Sequence, residues 1–268
     1  MPPRQRRVSR PTGRPQAITG LQAQEAPRYR KWLAYGESDT GKTVLAGTAP
    51  RALFLTTDIE GTESAKALGS TADEWRINTF EDFEEAVQYV AYGGGAQEYE
   101  WVIPDTITEL EELVWQSQLS GSEVRRASKY QPSKADYPMV WGKLKEQLGI
   151  LGRAPVNTLF IAHVMRIDVE NEEEETVTLA MPEIGSRKRG DLSRALCAQH
   201  GVVGYMRKVT QEGGEVQRQL LTQGSGRWIA RDRTTKLGAG MVDPTVPKML
   251  DRINGVTTTR TARRRRGN

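Results

Sequence analysis

The eight residues Gly36-Glu37-Ser38-Asp39-Thr40-Gly41-Lys42-Thr43 fit the pattern G-x-x-x-x-G-K-[ST], and those residue types at that spacing suit the holding of a polyphosphate. Glycines let the backbone curl until several N–H groups point inward at an anion. Lys42 is placed to reach the β- and γ-phosphates, and the Thr43 hydroxyl to hold Mg²⁺. The expected ligands are a nucleoside triphosphate and Mg²⁺. A second ligand for the ion is Asp105, which ends the apolar run Trp101-Val-Ile-Pro104. Mg²⁺ needs few protein oxygens when water and phosphate supply the rest. Pro104 departs from a plain strand, since proline gives no ladder hydrogen bond; as the last strand residue before the acid it is tolerable. Hydrolysis also needs a group that positions or deprotonates water. Glu60 and Asp58 follow the next apolar run, Arg51–Thr56, and either could serve.

These residues need a scaffold that brings strand tips together. Trp32–Tyr35 precedes the loop as an apolar strand, and Val44–Gly47 follows it as the start of a helix. Downstream, strands at Arg51–Thr56, Trp75–Asn78, Trp101–Asp105 and Asn157–Ala162 alternate with helices over Asp82–Tyr92, Ile107–Gln118 and Tyr137–Gly152, read from apolar spacing. Such alternation implies crossover connections and a mostly parallel central sheet with helices on both faces, an α/β fold. Ligands in such sheets gather at the carboxyl ends of the strands. Past His163 the spacing changes. Met165–Val169 and Thr176–Ala180 flank the acidic Glu172–Glu175 as a hairpin, and Val202–Val209, Gln217–Thr222 and Trp228–Ala230 read as late strands extending the sheet antiparallel.

Charge is unevenly distributed. Residues 1–31 carry eight Lys and Arg against one acid, residues 257–268 carry five Arg and no acid, and the whole chain is only +4, so the intervening globule is acidic, near −8. The basic ends lie among Pro, Gly, Ser and Gln, too polar to fold alone. Residues 1–27 and 257–268 are therefore expected as basic disordered tails around a core of residues 28–256. Such tails give sequence-blind affinity for nucleic acid, or simply keep a protein soluble. The single cysteine, Cys197, excludes a disulfide framework. Apolar runs fall far short of the ~20 residues of a membrane span, and the basic opening residues lack an apolar signal core. A cytoplasmic protein without a membrane partner is the expectation.

In order, GESDTGKT, LFLTTDIEGT, WVIPDT and TLFIAH resemble the motif series of the RecA-like P-loop ATPases, most closely the phage-encoded single-strand annealing and recombination ATPases, over roughly residues 30–240. The resemblance implies that Glu60 is the catalytic glutamate, Asp105 the Walker B acid and His163 a sensor that reports nucleotide state to a DNA-binding loop. Without it, His163 is equally a core histidine with its hydrogen bonds satisfied. It further implies that Arg231 and Arg233 reach a neighbouring subunit's γ-phosphate within a homo-oligomeric ring or filament; a pair of surface arginines is the plainer reading. Single-stranded DNA is the implied partner, with a single-strand-binding protein a further candidate. Arg187-Lys188-Arg189, flanked by Gly185 and Gly190, is the densest basic stretch inside the core, and Tyr130 and Tyr137 near Arg125, Arg126 and Lys129 are a second place where bases could stack. The acidic Glu172–Glu175 beside it would repel DNA. The expected function is ATP-dependent annealing or strand exchange in phage recombination or replication. The alternative is a nucleotide-switched loader or scaffold with little catalysis; a small-molecule kinase is disfavoured, since no arginine-rich lid lies between the P-loop and Asp105.

Overall fold

A computed structural model describes residues 29–120, 136–171, 173–185, 190–211 and 213–256. The order is β1 (Lys31–Gly36), α1 (Lys42–Ala46), β2 (Ala52–Thr56), α2 (Glu63–Lys66), β3 (Asp73–Arg76), α3 (Phe80–Tyr92), α4 (Gly95–Glu98), β4 (Trp101–Asp105), α5 (Ile107–Ser120), α6 (Asp136–Arg153) and β5 (Asn157–Ala162). It continues with β6 (Val164–Glu170), β7 (Thr176–Pro182), α7 (Asp191–Gln199), β8 (Val202–Thr210), β9 (Val216–Leu221), β10 (Arg231–Asp232), β11 (Gly240–Val242) and α8 (Val246–Asn254).

The main sheet runs β11-β9-β8-β1-β5-β4-β2-β3, with β10 also pairing β8. From β8 through β3 every pairing is parallel, and the late strands β9, β10 and β11 are antiparallel. The mostly parallel α/β fold with late antiparallel strands is thus as expected from the sequence. A sheet covered on both faces needs apolar side chains at every position, and β1 supplies them: Leu33 and Tyr35 enter one core with α3, α5 and α6, while Trp32 and Ala34 enter the other with α1 and α8. The β4–β5 ladder pairs Trp101 with Asn157, Val102 with Thr158 and Asp105 with Ile161, skipping Ile103 and Pro104. Pro104, with no N–H to give, is accommodated by that gap in a central strand.

Two expectations need correction, while the expected hairpin β6–β7 is present as a separate two-stranded sheet. β8 does not join antiparallel; α7 carries the chain back so that it lies parallel to β1. Trp228–Ala230 is not a strand: Trp228 makes only isolated bridges, and the pairing with β8 falls on Arg231 and Asp232. The start of α3 also moves two residues earlier than the apolar spacing indicates. A capping box explains this, with the Asp82 N–H donating to Thr79 Oγ1 at 3.1 Å and the Thr79 N–H to Asp82 Oδ2 at 2.9 Å. Among the described residues no helix is long and apolar enough to cross a membrane.

Tyr35 ties the separate hairpin to the main sheet. Its hydroxyl lies 2.7 Å from the Ile229 carbonyl and 3.1 Å from that of Ala180 on β7, and the Ile229 N–H donates to the Ala180 carbonyl at 3.0 Å. Burial pushes the phenol far above its ordinary pKa, so it remains a donor at any working pH. Tyr35→Phe keeps the ring but leaves buried carbonyl oxygens short of a partner. A loss of about 1–3 kcal/mol in chemical denaturation is expected; an unchanged midpoint would show that the hydroxyl contributes nothing to docking the hairpin.

Candidate active site

At the carboxyl end of β1 the chain turns through residues 37–41 into α1. Gly36 has no room for a side chain, since a Cβ there would lie 2.3 Å from the Met206 carbonyl oxygen on β8. Gly41 adopts φ +90°, a conformation that favours glycine, and caps α1. α1 is only five residues long, so its macrodipole is small, and the loop N–H groups with Lys42 carry most of the attraction for an anion. Lys42 is buried, and its ammonium donates to the Gly36 carbonyl at 3.0 Å and the Glu37 carbonyl at 2.8 Å. Desolvation lowers its pKa, opposed first by the charge of Asp105.

The β1-β5-β4 order puts the tip of β4 one strand away from the P-loop. There the Thr43 hydroxyl donates to Asp105 Oδ2 at 2.8 Å. Asp105 is buried, and desolvation pushes its carboxyl up to about 6 although the Thr43 bond and the Lys42 charge act the other way. Two hard oxygen donors in contact beside a phosphate loop fit Mg²⁺, whose remaining ligands are normally water and phosphate.

Glu60 and Asp58 both line the cavity of about 320 Å³ that also holds Lys42, Thr43, Asp105 and His163. The backbone between them turns as it leaves β2, and Asp58 Oδ1 accepts from the Glu60 N–H at 3.1 Å. Asp58 is thereby occupied in shaping the turn, while the exposed Glu60 carboxylate makes no hydrogen bond or ion pair among the described residues. Glu60 is the better placed of the two to align water.

His163, at the end of β5, bonds through Nε2 to Glu109 Oε1 at 2.8 Å. That bond raises the imidazole pKa against partial desolvation. No sequence motif singles out Glu109. The available signal was its place four residues after Asp105, which puts it in the first turn of α5 facing the same cavity. The loop itself is tethered by two ion pairs that spacing could not reveal, Glu37 to Arg166 on β6 and Asp39 to Lys208 on β8.

Other expected site residues lie elsewhere. Arg231 and Arg233 sit beside the start of β8, next to Val202 and Val203, whereas the P-loop end of β1 pairs with Met206. Arg231 donates to the carbonyls of Cys197 and His200 at 2.6 and 3.1 Å, and Arg233 to that of Ala198 at 2.6 Å. Within their own subunit they cap the carboxyl end of α7 and take no part in the phosphate cavity. Arg187, Lys188 and Arg189 lie outside the described residues, as do Arg125, Arg126, Lys129 and Tyr130. Tyr137 is engaged in an aromatic cluster, edge-on to Trp115 and against Trp141, so it is not a free platform for a base.

A family model described as an AAA domain matches residues 28–234. The chain belongs to that family. Its phosphate-loop sequence and mostly parallel sheet are those of a P-loop ATPase domain, and nucleotide binding is the property the family and the site share. The flagellar accessory protein FlaH from Methanocaldococcus jannaschii is a similar solved structure, at 11% identity over 80% of this chain and 84% of that chain with a TM-score of 0.40. So distant a likeness carries no function across. A comparison with curated proteins gives no match.

The buried Asp105 sets a testable opposition between stability and function. Its folded pKa of about 6 lies above the ordinary carboxylate value, so the folded state holds the extra proton. This group's contribution is full below about pH 4 and is lost as pH rises through 6. Asp105→Asn, which still accepts from Thr43, is expected to make the metal-free protein more stable at pH 7–8 by on the order of 2 kcal/mol, with the gain vanishing near pH 4. The same variant should lose Mg²⁺-dependent ATP binding. Urea denaturation in EDTA across that pH range reads the first effect; a variant less stable than wild type at pH 7.5 would contradict it.

Proposed function

We propose that the protein is an ATPase of RecA-like type that assembles on single-stranded DNA and couples ATP turnover to annealing or strand exchange in phage recombination or replication. The observation that carries the ATPase reading is the Thr43–Asp105 contact, set in one cavity with Lys42, Glu60 and His163. Mg²⁺ would be held by Thr43 and Asp105, and when bound it neutralises charge on the transferred phosphoryl group.

Each protein group has a task that its surroundings support. Lys42 exchanges its two loop carbonyls for phosphate oxygens, trading neutral hydrogen bonds for charge-assisted ones. The Glu60 carboxylate, free of side-chain partners, aligns the attacking water and accepts its proton. The His163–Glu109 pair faces the same cavity, and β6 begins at the very next residue, Val164. A change in that pair on loss of phosphate would be passed into the β6–β7 hairpin. The order of strands supports the RecA-like reading, with the expected glutamate at the tip of β2 and the Walker B strand one removed from the P-loop strand. For assembly, Arg231 and Arg233 would serve a neighbour's γ-phosphate only by giving up their α7 carbonyls, so hydrolysis would depend on contact between subunits. The contact with DNA falls to the basic segments at 187–189 and at the two ends of the chain.

A second reading, a nucleotide-switched loader that acts by binding and not turnover, draws on the acidic turn of the same hairpin. Asn171 Oδ1 accepts from the N–H groups of Glu173 and Glu175 and fixes that turn. A carboxylate-rich tip suits a basic protein partner better than DNA. ATP hydrolysis measured with and without single-stranded DNA separates the two. The first reading expects stimulation of tenfold or more, abolished in Lys42→Ala together with annealing. One unchanged rate with and without DNA, or a Lys42→Ala variant that anneals normally, would contradict it.

A further inference from the structure

Arg218 on β9 is a cation that none of the roles above uses. It lines the same cavity as Lys42, Thr43 and Asp105. Its stem lies directly on the P-loop, so close that a Cβ on Gly41 would fall 2.3 Å from Arg218 Cδ and 2.5 Å from Nε. Gly41 is favoured by its φ, and its lack of a Cβ leaves the space this arginine occupies. The backbone at 218 is held from both sides by Asp243, whose carboxylate accepts from the Arg218 N–H at 3.2 Å and whose own N–H donates to the Arg218 carbonyl at 2.7 Å.

The partner on the neighbouring strand makes the charge placement informative. Arg218 stands opposite Lys208 in the β8–β9 ladder, and two like charges directly opposite each other destabilise a strand pair. Lys208 is neutralised by Asp39 of the P-loop. Arg218 meets the same Asp39 carboxylate only through space: its guanidinium makes no hydrogen bond or ion pair among the described residues, and its Nε is shut off from solvent without an acceptor. A shielded guanidinium donor without an acceptor is costly, and an arginine fork matches phosphate geometry.

We infer that Arg218 is a phosphate-binding residue, supplied by the same chain that supplies the P-loop, and that it donates to the polyphosphate of the bound nucleotide beside Lys42. This rests on the phosphate-site reading of Gly36–Thr43. It also gives β9, and through Asp243 the end of β11, a direct hold on the nucleotide.

The experiment is equilibrium binding of MgATP, MgADP and AMP to the full chain as wild type, Arg218→Gln, Arg218→Lys and Lys42→Ala, with a thermal melt of each. Arg218→Gln keeps a stem over Gly41 and removes the charge; it should weaken MgATP and MgADP at least tenfold, with AMP affected least and Arg218→Lys intermediate. Arg218→Gln binding MgATP within twofold of wild type, while Lys42→Ala fails to bind, would overturn the role of Arg218 and leave the P-loop reading standing. Undiminished binding by Lys42→Ala would sink that reading itself. Should the Arg218 variants not fold, phenylglyoxal labelling of the wild-type protein decides: MgATP is expected to protect Arg218, and equal labelling with and without MgATP would refute the inference.

Discussion

Much of this molecule depends on placing a carboxylate, Asp105, in a dry position beside the Thr43 hydroxyl. Burial of an acid is unfavourable unless it is hydrogen-bonded or paired, and here one hydroxyl and the nearby ammonium of Lys42 provide partial compensation. The arrangement exists because β5 lies between β1 and β4, so that two strand tips from distant parts of the chain end at the same level. The apolar runs of these strands, covered on both faces, hold the tips in register. A buried acid whose pKa is driven upward is a poor stabiliser and a good receiver of a cation, which is the trade expected at a working site.

Around that contact the P-loop is anchored by charges on elements that arrive late in the chain. Glu37 reaches β6 and Asp39 reaches β8, while the stem of Arg218 rests on Gly41. The loop is therefore not an isolated turn between β1 and α1. Its conformation is bound to the hairpin and to the antiparallel edge of the sheet, the two parts that lie beyond the repeating strand-helix pattern. Any rearrangement of the loop on binding phosphate would be felt in both.

The sequence was most legible where local chemistry and local periodicity agree. The P-loop residues, Asp105 and the strands β1, β2, β4 and β5 could be read because each carries its own signal: glycine positions, an apolar run, an acid at its end. Tertiary pairing set the rest. Glu109 and His163 are 54 residues apart and meet only when α5 packs beside β5. Arg218 is one cation among many until β9 pairs with β8. Arg231 and Arg233 look like free charges in the sequence, and their engagement with α7 depends on a helix the apolar spacing did not reveal. α8 carries a Thr245 cap, a proline in the first turn and Gly255 closing it at φ +72°, but its short length and polar average hide it in the apolar spacing. β8 went parallel because α7 supplies the crossover, and a parallel neighbour needs one.

On the proposed reading, Thr43 and Asp105 together form the metal-dependent half of a nucleotide site. The most direct measurement is the affinity of the wild-type protein for ATP by calorimetry at pH 7.5, in Mg²⁺ and again in EDTA. Binding at least tenfold tighter with Mg²⁺ is expected, because the ion would join these two oxygens to the phosphates. Equal affinity in the two buffers would contradict it.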